Sequence, residues 1–313
     1  MKKITVADIV KELDLTIFYG EEYLDRIIGV KDISRPGLVL AGYFDYYPTE
    51  RIQVLGKTEL SFYYSLDEET QVYRANKLLV DPIPCVILSR SFPPPNSLLE
   101  VAKSKKIPIL GVERDTTQFI SVLTNLLDNL LAPTKTIHGV LVDIYGVGVL
   151  ILGQSGIGKS ETALELVKRG HRLVSDDAVV LKKVAKDSII GSAPDILKHL
   201  LEIRGVGLID VVKLFGMGSV RGHKEIDIVV RLEVWQQDKA YERLGLDNKY
   251  YEILGVNIPL MEIPVAPGRN LAIIMEVAAM NHRSLKMGNN TPEEFNQRLL
   301  THLKSNTKLK SSF

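Results

Sequence analysis

Apolar residues recur at Val6, Ile9, Val10 and Leu13, the spacing that lays one stripe along a helix. Further on the pattern shortens. Val86-Ile87-Leu88 and Ile107-Pro108-Ile109-Leu110 are brief apolar runs bounded by turn-forming residues, and each predicts a strand. Between them, Pro93-Pro94-Pro95-Asn96 breaks the chain ahead of a helix expected from about Ser97 to Lys103. Gln118 to Leu131 is again helical by its apolar spacing, and Ala132-Pro133-Thr134 ends it. A boundary there divides the chain into an N-terminal α/β domain over 1–131 and a second domain over 132–313.

The second domain opens with two strand-like runs, 139–144 and 147–152, joined by Tyr145-Gly146. That spacing predicts a hairpin. Its second strand runs straight into Gly153-Gln154-Ser155-Gly156-Ile157-Gly158-Lys159-Ser160. A helix is expected from Glu161 to Arg169, with Ala163, Leu164, Leu166 and Val167 on its apolar side and Gly170 to close it. The chain therefore reads as α/β throughout, with a loop fed by an antiparallel strand. Beyond about Asn306 the residues turn polar, and fraying is expected.

Composition narrows the class of protein. With 45% hydrophobic and 25% charged residues, the chain matches ordinary globular domains. A net charge of +1 offers no field suited to nucleic acid or an anionic membrane. No apolar run approaches the length of a membrane span, and Met1-Lys2-Lys3-Ile4 opens without a secretory pattern. The cytoplasm is the expected compartment. Cys85 is the one cysteine, so no intrachain disulfide forms. It lies in the apolar run Pro84-Cys85-Val86 and reads as a small core residue.

Gly153, Gly158, Lys159 and Ser160 satisfy the pattern G-x-x-x-x-G-K-[ST]. A chance match in a chain of this length is on the order of one in a hundred, and the flanking strand and helix sharpen it. The spacing has a physical basis. Glycines let backbone N–H groups turn inward around phosphate oxygens, and the helix start adds partial positive charge. A lysine here reaches the β- and γ-phosphates, and the adjacent hydroxyl can ligate Mg²⁺. A plain glycine turn needs neither Lys159 nor Ser160. Mg²⁺ and ATP are the expected cofactor and phosphoryl donor.

Four further stretches carry candidate chemistry. Arg172-Leu173-Val174-Ser175-Asp176-Asp177 is a short strand ending in paired carboxylates, where a metal-linked group or a general base belongs. Periodicity does not choose between Asp176 and Asp177. His138 stands just ahead of the hairpin and by itself reads more readily as structural. Leu201 to Asp210 sets Glu202 and Arg204 within an apolar stretch, which implies a site or a mutual ion pair. Pro264-Val265-Ala266-Pro267-Gly268-Arg269 is a rigid turn presenting Arg269.

The stretches Gly153–Ser160, Leu201–Asp210 and Pro264–Arg269 together closely resemble the bacterial HPr kinase/phosphorylase family. Asp32-Ile33-Ser34-Arg35-Pro36-Gly37-Leu38 and Leu55-Gly56-Lys57-Thr58-Glu59 look like its first domain, so the resemblance spans nearly the whole chain. It implies a bifunctional enzyme of carbon-catabolite control. Such an enzyme uses ATP to phosphorylate a serine of HPr, the phosphocarrier protein of the sugar phosphotransferase system. It also removes that phosphate with inorganic phosphate, releasing pyrophosphate. The family's catalytic domain looks like the nucleotide-binding core of phosphoenolpyruvate carboxykinases, and its members form homohexamers. The resemblance makes Asp177 the base, and the acid in reverse, with Lys159 on the transferring group and Ser160 and Glu202 on Mg²⁺. His138 and Arg243 match catalytic positions, and the turn to Arg269 is tied to dephosphorylation. The N-terminal domain is expected to serve assembly and regulation.

One departure is visible. The family pattern Pro-Val-Arg-Pro-Gly-Arg here reads Pro264-Val265-Ala266-Pro267-Gly268-Arg269, which bears on the strength of the reverse reaction. Without the resemblance, the motifs alone also fit a kinase of small molecules or a nucleotide-switched regulatory module. An Asn-Lys-x-Asp guanine-reading motif is missing from the sequence.

Overall fold

A computed structural model describes residues 3–237 and 249–310. It divides into two compact units, Met1–Ala132 and Pro133–Phe313, and each is described by itself.

The first unit is built on a five-stranded sheet of order β1-β5-β4-β3-β2. Its strands are β1 (Thr16–Tyr19), β2 (Ile33–Ser34), β3 (Ile52–Leu55), β4 (Val86–Leu88) and β5 (Ile109–Gly111). Strands β2 to β5 run parallel and β1 pairs antiparallel with β5. The helices are α1 (Val6–Leu13), α2 (Gly37–Ala41), α3 (Lys57–Tyr64), α4 (Glu68–Leu78), α5 (Asn96–Lys105) and α6 (Thr116–Leu130). Strand alternation sorts the core onto both faces. Leu55, Val86, Leu88 and Ile109 pack with residues of α2 to α5 on one face. Ile52, Val54, Ile87 and Leu110 pack with α1 and α6 on the other. Cys85 is fully buried in that second cluster, and burial pushes its thiol well above the ordinary range. It is a core residue.

Glu59 ties together the two N-terminal stretches that the sequence singled out. Its Oε1 accepts from Arg35 Nη2 at 2.6 Å, and its Oε2 accepts from the Gly56 backbone N at 3.0 Å.

The second unit holds a six-stranded mixed sheet of order β16-β17-β15-β8-β7-β9 and a four-stranded antiparallel sheet of order β14-β11-β10-β6. The first comprises β7 (Val140–Ile144), β8 (Val147–Leu152), β9 (Arg172–Ser175), β15 (Ile228–Val234), β16 (Tyr250–Ile253) and β17 (Val256–Val265). The second comprises β6 (Thr134–His138), β10 (Ala178–Ala185), β11 (Ser188–Ser192) and β14 (His223–Glu225), and a separate pair is formed by β12 (Leu200–Ile203) and β13 (Gly207–Asp210). The helices are α7 (Lys159–Lys168), α8 (Val211–Phe215), α9 (Leu271–Lys286) and α10 (Thr291–Lys310).

The near-continuous apolar runs of β7 and β8 follow from burial on both faces. Val140, Val142, Val149 and Ile151 face the core shared with α7 and α9. Leu141, Leu150 and Leu152 face a second core shared with Val179 and Leu181 of β10. The hairpin reading holds: β7 pairs antiparallel with β8, and β8 then pairs parallel with β15. Three local expectations change. His138 ends a strand, β6, that the pattern did not announce. Helix α10 continues to Lys310, past the point where fraying was expected. Glu202 and Arg204 are exposed rather than buried, because Leu201 and Ile203 take the inward face of β12.

Candidate active site

Strand β8 delivers the chain into the Gly-rich loop, and α7 carries it away. Gly153 has φ +155°, Gly156 +81° and Gly158 +98°. At Gly153 a Cβ would lie 2.8 Å from the Leu232 carbonyl oxygen, so the loop presses against β15 where no side chain fits. At Gly156 a Cβ would fall 2.6 Å from Arg204 Nη1. The turn is closed by Ile157 N donating to the Gln154 carbonyl at 3.4 Å.

Lys159 is buried, and its Nζ donates to the Gly153 and Gln154 carbonyls, each at 3.0 Å. Burial lowers its pKa, while Asp176 and Asp177 pull in the opposite direction. The lysine thus lies along its own loop and can be drawn to phosphate oxygens without unfolding anything.

The aspartates diverge at the turn from β9 to β10. Asp176 is buried, accepting from Ser160 Oγ at 2.9 Å on Oδ1 and from the Glu202 backbone N at 3.1 Å on Oδ2. Burial raises its pKa, and those two hydrogen bonds oppose the rise. Asp177 takes a left-handed conformation, φ +64°, which swings its side chain outward. Its Oδ1 lies 3.0 Å from His138 Nδ1, and both side chains are exposed to the cleft. The carbonyl of Asp177 accepts from Gly139 N at 3.0 Å, locking β6 beside the turn.

Glu202 and Arg204 come from β12 and the turn that follows it. Arg204 Nη2 donates to Ser155 Oγ at 3.0 Å, and no ion pair joins it to Glu202. One cleft is lined by His138, Ser155, Gly156, Gly158, Lys159, Ser160, Glu161, Asp176, Asp177, Glu202 and Arg204. The structure therefore gathers most of the sequence candidates on one surface. Arg269 does not line it, because its Nη1 is turned back onto the Pro264 carbonyl at 3.0 Å. Arg243 lies outside the described residues.

Among the described residues no group of three or more His, Cys, Asp or Glu side chains could by itself hold a metal. Ser160, Glu202 and Asp176 instead offer scattered hard oxygen donors around the loop. That suits Mg²⁺, which binds through one or two carboxylates with phosphate and water completing its shell.

The family models decide the lineage. Residues 4–127 match the model described as HPr Serine kinase N terminus, and 129–299 match the HPr Serine kinase C-terminal domain. The chain belongs to the HPr serine kinase family. It is 54% identical over 297 residues to the HPr kinase/phosphorylase of Exiguobacterium sibiricum, covering 95% of this chain and 96% of that protein. It is 52% identical over 299 residues to the HPr kinase/phosphorylase of Bacillus subtilis, covering 96% of each. A solved structure, the Hpr(Ser) kinase/phosphatase from Coxiella burnetii, is 37% identical, with a TM-score of 0.45 over 50% of this chain and 99% of its own.

Two features of this family member's site escaped sequence reasoning. The split between Asp176 and Asp177 depends on one backbone φ, which adjacent identical residues do not announce. The anchoring of α7 is also new. Glu276 of α9 accepts from Arg169 Nη1 at 3.3 Å and meets buried His171 Nε2 at 2.9 Å. The Tyr145 ring of the β7–β8 turn stands edge-on to His171, 4.6 Å away. These contacts hold the end of α7 opposite the phosphate loop, and their residues are too far apart in sequence for any spacing to signal them.

Among the described residues no helix is long and apolar enough to cross a membrane.

Proposed function

We propose that the chain transfers the γ-phosphoryl group of ATP to a serine hydroxyl of HPr, and that the same cleft returns it to inorganic phosphate as pyrophosphate. The observation that carries this is the placing of Asp176 on Ser160 and Asp177 on His138 within the cleft that Lys159 lines. A base, a metal-side carboxylate and a phosphate-binding lysine are the parts that phosphoryl transfer needs. The acceptor comes from the relatives at about half identity, named HPr kinase/phosphorylase.

In the forward direction the serine oxygen attacks the γ-phosphorus, the bond to the ADP oxygen breaks, and Asp177 takes the hydroxyl proton. His138, at Asp177 Oδ1, holds that carboxylate toward the cleft. Lys159 leaves the loop carbonyls for the phosphate oxygens and neutralises charge as it spreads over them. Ser160 and Glu202, with Asp176 behind them, would hold Mg²⁺, which would supply charge neutralisation for the phosphates. In reverse, a phosphate oxygen attacks the phosphoserine phosphorus, and Asp177 returns its proton to the departing serine oxygen. Positioning and charge neutralisation serve either direction once phosphate replaces the nucleotide.

Arg243 completes the catalytic set by resemblance. Arg269 belongs with dephosphorylation, and its turn stays closed through Arg269 N donating to the Ala266 carbonyl at 3.3 Å. The N-terminal unit serves assembly of a homohexamer and its regulation, and the enzyme works in the cytoplasm. Incubation with Mg²⁺, γ-labelled ATP and HPr tests the acceptor: label is expected on an HPr serine, and its absence there would overturn the proposal.

A further inference from the structure

Glu276 has no part in the transfer just described, yet it is a nearly buried carboxylate gripped from two sides. Its side chain is 12% exposed, and it accepts from Arg169 Nη1 at 3.3 Å and from His171 Nε2 at 2.9 Å. A carboxylate only accepts hydrogen bonds, so Nε2 carries a proton here. The two partners flank Gly170 in the short link between α7 and β9. Arg169 is steadied by Glu165 of α7, which accepts from its Nε at 3.0 Å, and His171 by the Tyr145 ring. The link is therefore the fixed side of the clamp, and α9 is what it holds.

Helix α9 needs such a hold. Its buried face is Ala272, Met275 and Ala279, set in one apolar core with Ala163, Leu166 and Val167 of α7. Apolar burial is non-directional, and small side chains with an adaptable methionine do little to stop one helix sliding on another. The two directional bonds of Glu276 fix the register, the best-attested use of a buried charged group.

That register matters at the start of α9. The turn ending in Arg269 runs from Val265, paired with Val234 in the sheet, to Asn270, whose Oδ1 caps α9 by accepting from Ile273 N at 3.2 Å. The next residue, Leu271, stands beside the phosphate loop, its Cδ1 4.0 Å from where a Gly158 Cβ would lie. A shift of α9 along α7 displaces the turn. The loop is spared, because β8 and α7 hold its two ends and Gly153 is pressed against the Leu232 carbonyl.

We infer that Glu276 is a positioning residue, which through Arg169 and His171 sets where the Arg269 turn stands relative to the phosphate loop. It touches no reacting atom. It acts on the phosphate-dependent direction, and this rests on the reading above that assigns the Arg269 turn to dephosphorylation.

The test measures both initial rates for wild-type protein, Glu276→Gln, Arg269→Ala and the double variant, with thermal unfolding of each. Glu276→Gln keeps an acceptor for His171 and loses the charge that draws Arg169. It is expected to lower phosphate-dependent dephosphorylation of HPr about tenfold. The kcat of HPr phosphorylation should stay within about threefold of wild type. Arg169→Ala, on the more open side of the clamp at 32% exposure, should move the same rate in the same sense, and it carries the test if Glu276→Gln does not fold. In the double variant the dephosphorylation rate should match that of Arg269→Ala alone, because Glu276 acts only through the turn. Equal loss in both directions, or losses that multiply in the double variant, would make Glu276 a general prop of the fold and overturn the inference. So would a Glu276→Gln enzyme that dephosphorylates HPr at a near wild-type rate. Dephosphorylation left untouched by Arg269→Ala would instead remove the reading beneath it.

Discussion

Asp176 and Asp177 are neighbours in the chain, but their carboxylates serve different walls of the cleft. Asp176 Oδ1 accepts from Ser160 Oγ at 2.9 Å, and Asp177 Oδ1 meets His138 Nδ1 at 3.0 Å. The left-handed backbone of Asp177, φ +64°, separates them. One carboxylate is buried against the loop, and the other is exposed to the cleft.

That backbone makes Asp177→Asn a clean substitution. Asparagine takes a left-handed conformation at least as readily as aspartate, so charge is removed without strain. The variant is expected to bind ATP normally and to lose at least about 10²-fold in HPr phosphorylation. Nucleotide titration and initial rates check this, and a near wild-type rate would show that Asp177 is not the base.

Gly153 offers a test of the loop. A methyl group there meets the Leu232 carbonyl at 2.8 Å and Ile157 Cγ2 at 3.0 Å. The Leu232 backbone cannot give way cheaply, so Gly153→Ala should lower stability by about 1–3 kcal/mol and weaken ATP binding. Chemical denaturation of both proteins, without nucleotide, measures the first effect.

Acid sensitivity should come partly from His282. It is buried on α9, and among the described residues its Nε2 has no hydrogen-bond partner. Burial, aided by Lys286, lowers its pKa from 6.5, and Asp227 opposes that. The folded protein therefore resists protonation where the unfolded chain accepts it. The neutral imidazole costs nothing above pH 6.5, and stability falls as pH drops through that value toward the lowered one. His282→Gln should flatten the Tm-against-pH curve below that point and leave its slope above unchanged. Thermal melts across that range settle the matter.

By resemblance an arginine is expected where Ala266 stands, beside an Arg269 whose Nη1 donates to the Pro264 carbonyl at 3.0 Å. Ala266→Arg is expected to raise the phosphate-dependent removal of phosphate from HPr several-fold and to leave the forward rate little changed. Comparing the two initial rates checks it.

What could be read in the sequence was whatever local physics dictates. The hairpin of β7 and β8, the loop and α7 announce themselves, because a turn at Tyr145-Gly146 and the spacing of Gly153 to Ser160 act within a few residues. The helix read at Gln118 to Leu131 corresponds to α6, Thr116–Leu130, since its stripe of Phe119, Leu123 and Leu127 is one buried face. Strand β6 escaped notice because Thr134 to His138 is almost wholly exposed and lacks an alternating pattern. The outward placing of Glu202 and Arg204 is not legible in their apolar surroundings, because neighbours in sequence need not share one face of a strand. The grip of Glu276 on His171 and Arg169, and of Arg204 on Ser155, depends on contacts between distant segments that one sequence does not display.

The central claim is that one cleft runs phosphoryl transfer in both directions through Asp177. Its most direct test starts from serine-phosphorylated HPr with Mg²⁺ and inorganic phosphate, followed by ³¹P NMR, for the wild-type protein and Asp177→Asn. Pyrophosphate should appear as phosphoserine disappears, one for one, and the variant should produce neither change. Release of free orthophosphate without pyrophosphate, or continued turnover by Asp177→Asn, would contradict the account.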